Sequence, residues 1–281
     1  MRQGPVLIFD SGVGGLSVAE ALRRHSPHAG FCYACDNAWL PYGLRDDATL
    51  TERIVAVCLA AVAACRPSVL VVACNTASTL ALENLRWHLS IPVVGTVPAI
   101  KPAAALSRTR HIGLLATRAT VGRPYTQELI SRFASDCVVT RVAADGLVSE
   151  AEAWLAGRSP DTARMHAALA PLWQAAAPGQ ASGAADSPIL DRTSPDQPWL
   201  DTVVLGCTHF PLLKPWLTEL APVPLDWVDS GDAIARRMAQ VAAPLMSSEP
   251  DGRCFTTAPA VALSAGLARY GFQPAQPLSL M

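Results

Sequence analysis

The chain has 281 residues, of which 51% are hydrophobic and 16% charged, with a formal net charge of −1. That composition supports a sizeable buried core and excludes global disorder, and the length suffices for two compact lobes or one large α/β domain. With Lys101 and Lys214 as the only lysines and no basic cluster, there is no field to hold a nucleic acid.

Val6–Phe9 is a short apolar run suited to a strand buried on both faces. No signal-peptide pattern surrounds it, because Asp10 ends the run early. The turn Asp10–Gly15 leads into a helix over Leu16–Arg24, and Phe31–Cys35 reads as a second strand. A turn-rich segment, Asp36–Asp47, precedes a helix around Leu50–Cys65; Val69–Ala73 is a third strand, followed by a helix over Thr76–Leu89 and a strand at Pro92–Thr96. The apolar stretch Ile54–Cys74 is broken by Arg66 and Pro67, so it reads as buried helix, turn and buried strand rather than a membrane span. The pattern then restarts. Strands are expected at His111–Leu115, Cys137–Val142, Thr202–Gly206 and Pro224–Val228, with helices around Gly122–Phe133, Thr162–Ala177, Leu212–Leu220 and Gly231–Ala243. Alternating strands and helices predict an α/β fold of mainly parallel sheets flanked by helices, and two such sets suggest two lobes. Residues 178–198, rich in Gly, Ser, Pro, Ala and Asp, read as a flexible surface insertion, and the tail after Ser247 offers only a possible helix around Ala260–Tyr270.

Two segments echo each other. Val71–Thr76 (VVACNT) and Val204–His209 (VLGCTH) each read as a buried strand, then a cysteine, then polar residues, then a helix. In open parallel sheets ligands bind beyond the carboxyl ends of strands, which is where Cys74 and Cys207 fall. A helix N-terminus supplies unpaired N–H groups and partial positive charge; such sites lower a cysteine pKa to roughly 3.5–7.5 and bind carboxylates. A cysteine ending an apolar strand is more often plain packing; it is the pairing of two such sites that favours chemistry. Asp10 opens a third strand-end site. Its Gly12-x-Gly14-x-x-Ser17 string, with Asp36 at the end of the next strand, resembles a dinucleotide fingerprint, but the third glycine is replaced and an acid precedes the turn. Cys32 and Cys35 lie inside an apolar strand and read as packing; the eight cysteines are expected to stay reduced in a cytoplasmic protein. His209 is the one histidine within a motif.

Together these residues resemble the glutamate racemases of the aspartate/glutamate racemase superfamily. The resemblance rests on Phe9–Val18 (FDSGVGGLSV), Pro41–Gly43 (PYG), Ala73–Ser78 (ACNTAS), Val94–Ala99 (VGTVPA), Leu205–Leu212 (LGCTHFPL) and Val228–Gly231 (VDSG), in family order over most of the chain. It implies two similar lobes, a first of 1–98 plus 229–281 and a second of 99–228, with the active site between them and glutamate held there. It implies Cys74 and Cys207 as the opposed catalytic thiols, Asp10 as the acid assisting Cys74, and His209 as the group beside Cys207. Asp10, Ser11, Tyr42, Gly43, Asn75, Thr76, Thr117, Thr120 and Thr208 are the implied substrate contacts. No cofactor and no metal is implied, which agrees with the scarcity of lysines for a Schiff base. The resemblance also implies a cytoplasmic homodimer that binds no nucleic acid and no membrane and supplies D-glutamate for peptidoglycan.

Two departures stand out. The family's second-lobe glutamate, which follows a Cys-Pro strand, aligns with Asp145, with Glu150 as the alternative, and the 178–198 insertion is longer than the family pattern. A racemase of aspartate or of hydantoins would share the thiol pair, and a non-catalytic amino-acid-binding protein would share the fold without the chemistry.

Overall fold

The computed structural model describes residues 3–176, 199–242, 245–246 and 251–280. The expected insertion at 178–198 lies outside them. The first sheet starts with three strands, β1 (Val6–Asp10), β2 (Phe31–Cys35) and β3 (Val69–Val72), each buried along its whole length. Apolar side chains on both faces suit a parallel sheet covered by helices on either side. Those helices include α1 (Gly15–His25), α2 (Asp47–Cys65) and α3 (Asn75–His88). β4 is only Val93–Val94, shorter than the expected Pro92–Thr96.

A connecting helix, α4 (Ile100–Leu106), leads to the second sheet, which the chain builds from β5 (His111–Ala116), β6 (Val138–Ala143), β7 (Thr202–Leu205) and β8 (Asp226–Val228). Around it lie α5 (Arg118–Gly122), α6 (Pro124–Phe133), α7 (Gly146–Leu155), α8 (Thr162–Ala176) and α9 (Lys214–Leu220). The chain then returns to the first sheet through α10 (Gly231–Ala242), which packs on α1, and adds β9 (Cys254–Thr256), α11 (Ser264–Arg269) and β10 (Gln276–Pro277). The strand orders are β10-β9-β2-β1-β3-β4 and β6-β5-β7-β8, and every pairing between these strands is parallel. Strands β9 and β10 escaped the sequence analysis, as did α4, α5 and α7.

α2 is the one helix among the described residues long and apolar enough to cross a membrane by length and composition. It lays Leu50, Ile54, Val57, Cys58, Ala61 and Cys65 into the core. It ends where Arg66 turns left-handed (φ 51°) and Pro67 follows, the break expected from the sequence. One expectation fails here. Cys32 on β2 and Cys65 at the end of α2 are joined as a disulfide across the sheet–helix interface, their Cα atoms 6.7 Å apart and within bridging reach; the other six cysteines are free.

Candidate active site

The carboxyl ends of β1, β3, β5 and β7 converge on one cavity between the two sheets. Cys74, immediately after β3, is the N-cap residue of α3. Cys207 follows β7 on the other side. Its continuation departs from the expected echo. A short 3-10 helix, Phe210–Leu213, intervenes before α9, so no α-helix starts at Cys207. Pro211 and Pro215, lacking N–H groups, favour this broken start.

Both cysteines line the cavity, together with Ser11, Tyr42, Gly43, Asn75, Thr76, Thr117, Thr120, Thr208 and His209. Every cavity-lining residue expected from the sequence is therefore brought together. Leu40, Pro41, Val148 and Gly206 complete the wall. Asp10 lies just behind it, fully buried: its Oδ2 accepts the Gly15 N–H at 2.7 Å and the Thr208 hydroxyl at 3.4 Å, while its Oδ1 has no partner. Asn75 Oδ1 is likewise buried without a partner. The Cys74 thiol lies 3.7 Å from Ser11 Oγ, and the Cys207 sulfur 3.8 Å from His209 Nδ1. Thr117 caps α5 and its hydroxyl meets that of Thr120 at 3.1 Å.

The acid beside His209 is Glu152, which the sequence analysis missed. Glu152 Oε1 lies 2.8 Å from His209 Nε2 and also accepts the Val13 N–H at 2.8 Å, so one carboxylate oxygen touches both the second-sheet histidine and the first-sheet turn. Neither expected acid reaches this place. Asp145 precedes α7 and accepts the Arg118 N–H at 3.1 Å, and Glu150 accepts the Asp161 N–H at 2.8 Å. Residues 150 and 152 are about 200° apart around a helix and face opposite ways, whereas 148 and 152 share a face. Val148, on the same face as Glu152, lines the cavity, an alignment visible only once α7 is folded.

Electrostatics also differ from the sequence expectation. Burial pushes the Cys74 thiol well above its ordinary value, and the Asp10 carboxylate adds to the shift; the Ala77 N–H and the Ser11 hydroxyl oppose both without winning. The helix terminus thus loses to desolvation. Burial also raises the Asp10 carboxyl, against the pull of His209 and of the Gly15 and Ser11 N–H groups. For His209 burial acts downward, but its contacts with Cys207 and Glu152 outweigh it and hold the imidazole well above its usual value. A raised histidine stabilises the fold fully below its unfolded pKa of about 6.5, and the contribution is lost as pH rises through the higher folded value. Glu152→Gln removes the carboxylate, so His209 should titrate at lower pH and the alkaline loss of stability should begin sooner. An NMR titration of the imidazole with thermal melts across the alkaline range checks this; an unmoved His209 titration would contradict it.

The cavity is narrow. Its volume of about 30 Å³ is room for one or two waters, not an amino acid, so the side chains around it must part to admit a substrate. Gly14 shows how tightly they meet: a Cβ there would run into Thr208 Oγ1 and lie 2.8 Å from His209 Cε1. Among the described residues no cluster of three or more His, Cys, Asp or Glu side chains could hold a metal ion.

Two parallel sheets closing on a cavity that carries one cysteine from each define a class, the two-lobed α/β proteins with paired active-site thiols. The Asp/Glu/Hydantoin racemase family model matches residues 16–181. A glutamate racemase of Shewanella loihica is 47% identical over 244 residues, covering 87% of this chain and 83% of that one. One from Salmonella typhi is 43% identical over 98% of this chain and 92% of the relative. Among solved structures, Escherichia coli glutamate racemase in complex with L-glutamate and the activator UDP-MurNAc-Ala superposes with a TM-score of 0.85 at 40% identity, covering all of both chains. The RacE1 isoform of Bacillus anthracis gives a TM-score of 0.78 at 25% identity, covering all of this chain and 99% of that one. The chain belongs to the Asp/Glu/Hydantoin racemase family.

Proposed function

We infer that the chain is a glutamate racemase, an isomerase that interconverts L- and D-glutamate and supplies D-glutamate for peptidoglycan. The single observation that carries this reading is the pair of thiols lining one narrow cavity in a chain this similar to glutamate racemases over nearly its whole length.

In the proposed mechanism Cys74 and Cys207 work from opposite faces of the α-carbon. One thiolate takes the α-hydrogen as the other thiol delivers a proton to the far face, and their roles exchange with the direction of reaction. A buried thiol is a poor base at rest and a strong one once ionised. The ammonium group of bound glutamate brings positive charge into the cavity and offsets the desolvation that holds Cys74 protonated. Asn75 Oδ1 and Asp10 Oδ1 are acceptors without partners at or beside the cavity and suit that ammonium group. The N–H groups that open α3, with the hydroxyls of Ser11, Thr76, Thr117, Thr120 and Thr208, are donors for the carboxylates. Asp10 assists Cys74 and His209 assists Cys207, the latter held by Glu152. The mechanism uses no cofactor and no metal. Closure excludes water, so fixed dipoles face the charge that develops on the α-carbon.

The lobes are proposed as 1–98 with 229–281, and 99–228. The two chain crossings between them run side by side, Ser230 Oγ donating to Val97 O at 2.5 Å, which suits a hinge. A homodimer in the cytoplasm, free of nucleic acid and membrane, is proposed as the working state.

The test is circular dichroism of purified protein with no added cofactor against a panel of L-amino acids and a hydantoin. Glutamate alone is expected to lose its signal. Turnover of aspartate or hydantoin in its place would keep the chemistry and overturn the substrate, and binding of glutamate without turnover would overturn catalysis.

A further inference from the structure

Asp36, at the end of β2, has no part in the mechanism above, yet it is fully buried and ionic. Its two oxygens accept four hydrogen bonds. Oδ1 takes Arg53 Nη2 at 2.7 Å and the Thr257 hydroxyl at 2.6 Å; Oδ2 takes Arg53 Nε at 2.9 Å and the Tyr42 phenol at 3.0 Å. A carboxylate has about four acceptor positions, so this one is saturated and has nothing left for a ribose hydroxyl. The four bonds tie together three separate parts of the fold: the cavity wall at Tyr42, helix α2 through Arg53, and the C-terminal segment at Thr257, the residue after β9.

Arg53 dominates the arrangement. Its planar fork grips Asp36 bidentately, a geometry lysine cannot reproduce, and its guanidinium stacks 5.3 Å from the Trp39 ring centroid. The Tyr42 phenol is committed to Asp36, so what Tyr42 presents to the cavity is its ring and main chain. Their position depends on where Asp36 stands, and among the described residues Arg53 is the one charged group bonded to Asp36.

We propose that Arg53 is a positioning residue for the reaction: through the Arg53–Asp36–Tyr42 chain it fixes the Pro41–Gly43 wall against which the substrate is held. This rests on the racemase reading. Arg53 touches neither the cavity nor the thiols, and it acts only through Asp36. Thr257 anchors the same carboxylate from the C-terminal side, so the C-terminal strand of the first sheet is coupled to the cavity wall.

The test is steady-state racemisation by Arg53→Gln, Arg53→Lys and Tyr42→Phe, with the Arg53→Gln/Tyr42→Phe double variant, each first shown folded by its melt. In folded Arg53→Gln, KM for glutamate should rise about 10–100-fold, because misplacement of a wall by an ångström costs that order. Arg53→Lys should recover part of the loss. In the Tyr42→Phe background, where the chain is already cut, Arg53→Gln should add little. If Arg53→Gln does not fold, Thr257→Val cuts one charge-assisted bond to the same carboxylate, together with the Ala38 N–H bond to that hydroxyl, and should raise KM in the same sense. A merely structural clamp would lower the melting temperature of folded variants and leave KM within about twofold of wild type, and that result, or strict additivity in the cycle, overturns the proposal. Wild-type protein that turns over no glutamate overturns the racemase reading itself, and the proposal falls with it.

Discussion

Replacing either cavity thiol by a hydroxyl should abolish racemisation while leaving the fold intact. A serine hydroxyl is far less acidic than a thiol, so Cys74→Ser or Cys207→Ser removes one base outright. Positioned acid–base groups contribute about 10²–10⁴-fold each, and a two-base reaction needs both, so each single variant should fall by at least that factor. The loss should not come from unfolding. Sulfur-to-oxygen exchange barely changes volume, and each site has a polar neighbour for the new hydroxyl, Ser11 Oγ near Cys74 and His209 Nδ1 near Cys207. Circular dichroism of L- and D-glutamate, with melts of each variant, checks this. A folded variant retaining activity within tenfold of wild type would remove that thiol from the mechanism.

A second large effect should come from a single methyl group at Gly14. This residue has φ −56° and ψ −37°, a conformation open to any amino acid, so alanine costs the first lobe little: about 1 kcal/mol for the changed N-cap, well short of the several kcal/mol that hold a domain folded. The methyl would instead meet Thr208 and His209 across the cleft. Gly14→Ala should therefore keep its melting transition near wild type and lose about 100-fold in kcat/KM, because closure no longer brings the two thiols to their working distance. Normal activity in Gly14→Ala would show that the closed arrangement is not the working one. Gly12 tests the same contact at Glu152 Oε1, which a Cβ on residue 12 would strike.

Much of this site was legible in the sequence because its residues sit where strands end. Cys74 and Cys207 each follow a run of apolar residues, Val69–Ala73 and Thr202–Gly206, whose burial on both faces can be read without a structure. Glu152 was not legible in that way. It lies on a helix absent from the sequence expectation, and its meaning depends on meeting His209 and Val13, 57 and 139 residues away. β9 and β10 were hidden for a related reason. At three and two residues they carry no periodicity, and they are strands only because β2 pairs with Cys254–Thr256 and β9 with Gln276 and Pro277. The thiol electrostatics failed differently. Position at a helix start was read correctly for Cys74, but its consequence depended on burial and on Asp10, neither of which local sequence fixes.

The measurement that bears most directly on the two-thiol mechanism is early-time proton NMR in D₂O, run from each enantiomer separately. With two bases, product receives its α-hydrogen from the thiol that exchanged with solvent, while a hydrogen taken from substrate and returned to it comes back undiluted. Product should therefore be deuterated from the first turnovers and remaining substrate should stay protonated, in both directions. Deuterium appearing in unreacted substrate as fast as in product would mean that a single exchanging base serves both faces, and the opposed-thiol account would be wrong.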